Sequence, residues 1–127
     1  DDQLNRYQIT REGSEIAVIA LGSFYSLGCQ VVEAYKEKGI HATLINPRYI
    51  TGLDTDLLSS LKTNHHTVIT LEDGQLDGGF GEKIARFYGD SDMKVRCYGA
   101  RKEFVDRFDY NEFLKSNHLT AQQIVSD

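Results

Sequence analysis

Hydrophobic positions along the chain change their spacing several times, and each change predicts a secondary-structure element. Residues 15–21, EIAVIAL, are almost continuously apolar, which is typical of a strand covered on both faces in a parallel sheet. From Ser23 onward the apolar residues recur at helical spacing until Gly39, a residue suited to the end of a helix. The apolar face of this predicted helix comprises Leu27, Val31, Ala34 and Tyr35.

A second strand and helix follow the first pair. Residues 41–46 predict a strand, and Pro47, the only proline of the chain, stops it. After the connection PRYITGLD, Asp54 or Thr55 has the right chemistry to cap a helix that runs to Leu61. The strand-helix alternation therefore repeats.

The segment from Thr67 to Tyr88 combines a strand, a glycine-rich connection and a helix. Residues 67–71 are rich in β-branched side chains, and Glu72 and Asp73 follow them. Such a connection lies at the carboxyl end of its strand, where open α/β sheets bind their ligands. The glycines of the connection are Gly78, Gly79 and Gly81, and the apolar helix positions are Phe80, Ile84, Ala85, Phe87 and Tyr88.

The chain ends with further elements of the same kinds. Residues 94–98 predict another strand, residues 99–108 an irregular segment, and residues 110–116 a short helix. Thr120 and Gln123 have the spacing of a capping box that opens a last helix. Alternating strands and helices predict a three-layer α/β/α sandwich with a mainly parallel, mixed sheet. The 127 residues predict one domain, in which residues 1–14 form an opening strand or hairpin and residues 15–127 the α/β core.

Composition and charge restrict the classes of partner. The net charge is -5 and the 14 basic residues are scattered, which argues against a nucleic-acid surface. No apolar run is long enough to span a bilayer and the amino terminus lacks the features of a signal peptide, so we expect a cytoplasmic protein without membrane contact. Cys29 and Cys97 show no CxxC spacing and are predicted to be free thiols rather than a disulfide or a metal pair.

The glycine-rich connection could bind phosphate, but its spacing does not match the known cradles. Ile84 stands where a third glycine of G-x-G-x-x-G would be needed, and no GxxxxGK[ST] occurs. We therefore interpret Gly78, Gly79 and Gly81 as positions of positive φ or of close approach to a neighbouring element, in this chain or in another. An anion-binding role stays open as an alternative.

Glu72 and Asp73 are adjacent on a strand, so their side chains point to opposite faces and do not converge as an acid and base pair. We expect Asp73 to cap the turn and Glu72 to pair with Arg48, because both follow parallel strands that end on the same edge. No nucleophile motif occurs. The histidines, which are His41, His65, His66 and His118, lack metal-ligand spacing. We predict no catalytic, cofactor-binding or metal-binding residue in this chain.

Four segments in order resemble the carboxyl-terminal domain of the 1-deoxy-D-xylulose-5-phosphate synthase family. They are REGSEIAVIALGS, INPRYITGLD, VITLEDGQLDGGFGEKIARF, and FVDRF together with NHLTAQQI. More broadly the chain resembles the transketolase carboxyl-terminal domain, which transketolases and 2-oxo-acid dehydrogenase beta subunits also carry. Those relatives share the strand-end arginine, Arg48 here, and the glycine-rich turn. The motifs LTAQQI and NPRY favour the synthase.

The resemblance implies an enzyme in which thiamine diphosphate, held with Mg²⁺, condenses pyruvate with glyceraldehyde 3-phosphate and releases carbon dioxide, for isoprenoid and thiamine synthesis. In that family the cofactor, metal and substrate residues belong mainly to two preceding domains, and nothing here resembles their GDG motif. The resemblance therefore implies a domain that packs against the preceding domains and supports a homodimer, without catalysis of its own. Asp1 would then mark a domain boundary.

An interface role leads us to expect an exposed apolar patch that includes Phe80 or the glycine-rich connection around it. Lys102 to Asp109 reads KEFVDRFD where the synthases usually read DRFVEHG, so a divergent paralogue or a split-gene subunit is an alternative parent. The remaining alternatives are a regulatory or anion-binding α/β module and the carboxyl-terminal domain of a transketolase or of a 2-oxo-acid dehydrogenase beta subunit.

Overall fold

A computed structural model describes residues 7–47, 53–73, 79–100 and 120–127 of the chain. The strands in these ranges are β1 Gln8–Arg11, β2 Glu15–Ala20, β3 Thr43–Asn46, β4 His65–Asp73 and β5 Lys94–Ala100. The α-helices are α1 Tyr25–Glu37, α2 Thr55–Leu61, α3 Phe80–Tyr88 and α4 Ala121–Ser126, and a 3₁₀ turn, Gly22–Phe24, precedes α1.

The strands form one mixed sheet in the order β1-β3-β2-β4-β5. β2, β3, β4 and β5 run parallel, and β1 is antiparallel to β3. Val18 at the centre of β2 is flanked by Leu44 of β3 on one side and by Ile69 of β4 on the other. The chain runs from β2 to β3 on one side, then crosses back over β2 to β4 on the other side. The direction in which strands are added to the sheet therefore reverses between β2 and β4, and the switch point lies between the carboxyl ends of these two strands. Ligands of open α/β sheets bind at such a switch point.

Helices cover both faces of the sheet, which confirms the predicted three-layer α/β/α sandwich. Along β2, side chains alternate between the two faces and residues 16–20 are all buried, as the continuous apolar run predicts. One core lies under α1 and α4 and includes Val18, Val31, Ile69 and Ile124. The other core lies under α2 and α3 and includes Ile19, Leu58, Val68, Ile84 and Tyr88.

The predicted helix ends are present in the structure. Asp54 caps α2, since its Oδ1 accepts a hydrogen bond from the Leu57 amide at 3.1 Å. Thr120 and Gln123 form the capping box of α4. Gly39, two residues beyond α1, has a φ of 88°, the left-handed conformation that favours glycine after a helix.

The expected hairpin between β1 and β2 does not form. β1 is present, but it pairs with β3, which lies between it and β2. The turn at residues 12–14 is held against the start of β3, because the Gly13 amide donates to Thr43 Oγ1 at 3.0 Å and the Ser14 amide donates to the His41 carbonyl at 2.8 Å. These contacts carry the chain across the end of β3 instead of folding it back directly.

Two strands are longer than the sequence predicts. His65 and His66, which precede the predicted strand 67–71, begin β4, and Glu72 and Asp73 complete it because β5 pairs with β4 as far as Asp73. β5 extends through Ala100, into the segment predicted to be irregular.

Residues 101–119, which hold the predicted helix 110–116, lie outside the described residues. Cys29 and Cys97 are free, as predicted. Among the described helices, none has both the length and the apolar character of a membrane span.

His65 joins three elements at the amino edge of the sheet. Its Nδ1 lies 3.2 Å from the Leu61 carbonyl, which can only accept, so Nδ1 carries the hydrogen. Its Nε2 lies 2.8 Å from Thr43 Oγ1, the hydroxyl that already accepts from Gly13. A neutral ring satisfies every partner, because the Thr43 hydroxyl then donates to Nε2. Burial lowers the pKa of His65, and the neighbouring His66 adds to that effect.

We expect His65 to make the free energy of unfolding fall in acid. Because the folded-state pKa lies below the unfolded value of about 6.5, the stabilisation is complete above that pH and is lost as the pH falls through the folded-state pKa. Urea denaturation followed between about pH 7.5 and pH 5 should show this loss, and His65→Gln should reduce it. His41→Gln, an exposed position, is the control. Equal pH slopes for the chain and for His65→Gln would contradict the expectation.

Candidate functional site

The carboxyl ends of β2 and β4 meet at the switch point, and this edge is the candidate site. The Leu21 amide donates to the Leu71 carbonyl at 2.9 Å, which extends the contact between the strands past the end of β2. Gly22 then turns the chain away with a φ of 52° and is exposed. Glu72, one residue further along β4, faces α3 and is only 7% exposed.

The carboxylate of Glu72 binds the amino end of α3. Its Oε1 accepts a hydrogen bond from the Phe80 amide at 3.0 Å, and its Oε2 accepts one from the Gly81 amide at 2.7 Å. The N-cap residue, Gly79, has no side chain with which to cap the helix, so Glu72 performs that function from the neighbouring strand. A negative charge is also favourable at this end of the helix dipole. Glu72 therefore occupies the position that an external anion would take.

Gly81 allows the first turn of α3 to lie directly on the sheet. A Cβ at Gly81 would lie 2.6 Å from Thr70 Oγ1, 2.9 Å from Cys97 Sγ and 2.9 Å from Glu72 Oε2. These distances are shorter than van der Waals contact, so any side chain at this position would force the helix or its neighbours to shift. The need for glycine here comes from close approach to the chain's own sheet.

Thr70 and Cys97 lie under this turn on neighbouring strands, in register with each other. Thr70 is fully buried, and its Oγ1 has no hydrogen bond of ordinary geometry. Burial raises the pKa of the Cys97 thiol, so the sulfur is a poor nucleophile. The polar atoms under α3 therefore serve packing better than reaction chemistry.

Phe80 is 5% exposed, so the expectation of an exposed apolar patch is wrong for Phe80, whereas residues 74–78 of the glycine-rich connection lie outside the described residues. Phe80, Ile84 and Tyr88 share one face of α3, and that face packs onto the sheet. The ring of Phe80 also lies 6.2 Å from that of Tyr7, centroid to centroid. Among the described residues, Ile9 at 37% is the one large hydrophobic side chain that is exposed.

The structure brings together three of the residues singled out in the sequence, namely Glu72, Phe80 and Gly81. Asp73 ends β4 and Gly79 precedes α3. Arg48 and Gly78 lie outside the described residues, so the Arg48 to Glu72 ion pair stays a prediction. Sequence reasoning missed Thr70 and Cys97 in this cluster. The alternation of β4, which places Thr70 and Glu72 on one face, could have indicated Thr70.

A cleft of about 400 Å³ lies at the opposite, amino-terminal edge of the sheet. It contains both acidic and basic groups, and within the described part of the chain no cluster of three His, Cys, Asp or Glu side chains could hold a metal ion. Its lining residues are Lys62, His65, His66, Asp90, Ser91, Asp92 and Met93.

A mixed five-stranded sheet between two layers of helices, with an internal carboxylate bound at the start of α3, defines a three-layer α/β/α domain. Residues 5–124 match the family described as "Transketolase, C-terminal domain". The chain belongs to this family, as the resemblance in its sequence indicated.

Curated relatives and solved structures agree with that assignment. The chain is 33% identical to the 1-deoxy-D-xylulose-5-phosphate synthase of Crocosphaera subtropica over 98% of its own length and 20% of that protein, and 25% identical to the synthase of Lysinibacillus sphaericus over 99% and 21%. It thus spans about a fifth of the length of these relatives.

Two solved structures share the fold. One, described as a split gene transketolase, inactive beta4 tetramer, has a TM-score of 0.83 at 22% identity and aligns over 97% of this chain and 41% of its own. The other is the transketolase of Campylobacter jejuni, with a TM-score of 0.66 at 14% identity over 99% of this chain and 18% of its own.

We expect Gly81→Ala to destabilise the domain, although alanine is ordinarily the better helix residue. The new methyl group would displace α3 from Thr70 and Cys97, at a cost of about 1–3 kcal/mol in the free energy of unfolding. Denaturant unfolding measures this cost. Lys83→Ala, at an exposed position of the same helix, should change stability by less than about 0.5 kcal/mol. A Gly81→Ala protein as stable as the parent would show that the first turn of α3 does not pack as tightly as described.

Proposed function

We propose that this chain is the carboxyl-terminal assembly domain of a thiamine diphosphate-dependent enzyme of the 1-deoxy-D-xylulose-5-phosphate synthase type. Such an enzyme condenses pyruvate with glyceraldehyde 3-phosphate and releases carbon dioxide. The observation that carries the proposal is the match to the synthase of Crocosphaera subtropica, which covers 98% of this chain but only 20% of that protein. The remaining four-fifths is ample for the cofactor-binding domains that the resemblance implies.

In the proposed enzyme, thiamine diphosphate and Mg²⁺ bind to preceding domains, and this domain packs against them and supports a homodimer. It is silent by itself. The geometry at the switch point favours this role, because the polar groups at the start of α3 are engaged within the chain, by Glu72. A domain whose polar groups at the strand ends bind one another is suited to an assembly role.

The anion-binding alternative is disfavoured by the same two hydrogen bonds. The amide groups of Phe80 and Gly81 are those that would bind a phosphate at the amino end of α3, and the carboxylate of Glu72 already accepts from both. Glu82 adds a second carboxylate in the first turn of the helix. A phosphate approaching this terminus would be repelled by both groups.

A second arrangement is an enzyme divided between two chains, with this domain on the non-catalytic one. It is favoured by the likeness to the split gene transketolase, an inactive beta4 tetramer in which the aligned part makes up 41% of the chain. In that arrangement this domain would carry out the same assembly role from a separate polypeptide.

Titration calorimetry tests whether the isolated domain binds the cofactor or the substrate. We expect no saturable heat when thiamine diphosphate with Mg²⁺, or glyceraldehyde 3-phosphate, is added to the chain. Gly79→Val is the control, because it would abolish binding at the glycine-rich connection and leave non-specific heats unchanged. Saturable heat with the sugar phosphate that Gly79→Val removes would establish the anion-binding module instead. Heat with the cofactor would place the cofactor site in this chain and contradict the proposal.

The gene sequence next to this segment tests which enzyme the domain serves. We expect the same reading frame to encode, upstream of Asp1, two further domains with a GDG diphosphate-binding motif. A separate gene for those domains would establish the split arrangement. An adjacent gene for a dehydrogenase alpha chain, with a lipoyl carrier, would contradict the synthase proposal and favour a 2-oxo-acid dehydrogenase beta subunit.

A further inference from the structure

We propose that the amino end of α3 is an anion site with a built-in ligand, the carboxylate of Glu72, and that removing this side chain opens the site to a small external carboxylate. In the unmodified chain the site is closed from within. The chemistry of this helix terminus is the same whichever enzyme the domain serves.

The geometry of the terminus is that of a bound carboxylate. Each oxygen of Glu72 accepts one helix amide, at 3.0 and 2.7 Å, and the side chain is 7% exposed. α3 has nine residues and so a developed dipole, and its N-cap, Gly79, leaves the terminal amides open to another acceptor. Among the described residues, no cationic side chain lies within 4.0 Å of Glu72. The helix end is therefore its main described electrostatic partner.

A second polar group, the Thr70 hydroxyl, lies under the first turn of α3. Thr70 is fully buried, and its Oγ1 lacks a hydrogen-bond partner of ordinary geometry. A Cβ on Gly81 would lie 2.6 Å from Thr70 Oγ1 and 2.9 Å from Glu72 Oε2, so the hydroxyl and the carboxylate both lie next to Gly81 in the first turn of α3. The helix end thus offers two amide donors to a carboxylate, and the buried Thr70 hydroxyl lies beside them, near the Cys97 thiol.

Glu72 also fixes both ends of the glycine-rich connection. The residue lies at the end of β4, and the amides that it binds begin α3, so the two hydrogen bonds hold together the chain on either side of residues 74–78. Loss of the carboxylate should release the first turn of α3 before it affects the rest of the helix, whose apolar face packs independently onto the sheet.

Chemical rescue tests the built-in ligand. Glu72→Ala removes Cγ and the carboxylate, which are the heavy atoms of acetate. The thermal midpoint of Glu72→Ala should be lower than that of the parent and should rise saturably with sodium acetate at constant ionic strength, balanced with sodium chloride. The parent chain and the control Glu33→Ala, at an exposed carboxylate paired with Arg11, should show no such rise. A parent that responds to acetate as Glu72→Ala does, or a folded Glu72→Ala that does not respond, would overturn the proposal.

Glu72→Gln provides a second measurement if Glu72→Ala does not fold. Glutamine keeps the shape and one acceptor oxygen but loses the charge and the second acceptor. Amide hydrogen exchange of Phe80 or Gly81 should become about tenfold faster, the factor expected for a lost charge-assisted hydrogen bond, while that of Ile84 stays unchanged. Unchanged exchange at both Phe80 and Gly81 would show that the carboxylate does not hold the helix end.

Discussion

The two hydrogen bonds between Glu72 and the start of α3 are the constraint on which the carboxyl edge of this domain depends. They fix where α3 begins, and the beginning of α3 fixes how closely Gly81 lies on Thr70 and Cys97. Beyond this first turn, the face formed by Phe80, Ile84 and Tyr88 packs onto the sheet and completes the core under α2 and α3. A buried carboxylate is costly unless it is hydrogen-bonded, and here the helix end meets that need.

The domain thus has the architecture of a ligand-binding α/β fold, but the polar groups at its switch point bind one another within the chain. In such sheets the carboxyl ends of the strands and the amino ends of the following helices ordinarily face a ligand. In this chain one such helix end faces a carboxylate of its own sheet. A strand edge that is closed internally can support neighbouring domains without competing for their anionic cofactor, which fits the assembly role that we propose.

The amino edge of the sheet is held by a neutral network instead of a charged one. The Gly13 amide, the Thr43 hydroxyl, the His65 ring and the Leu61 carbonyl form a continuous chain of hydrogen bonds. This network ties the turn after β1 to β3 and to the end of α2. The network at the amino edge is therefore weakened in acid, because it requires a neutral imidazole and burial lowers the pKa of His65.

By itself the sequence determined the layer order, most helix ends and the family. A short continuous apolar run is typical of a strand buried on both faces, and Asp54, Thr120 and Gln123 cap helices through contacts within four residues, so local patterns suffice for these features. Only the tertiary structure decided that β1 pairs with β3, that Phe80 is buried and that Glu72 binds the end of α3. Each of these depends on which residues distant in the chain meet across the sheet, and the pattern along the chain does not encode the partner of a backbone amide eight or nine residues away.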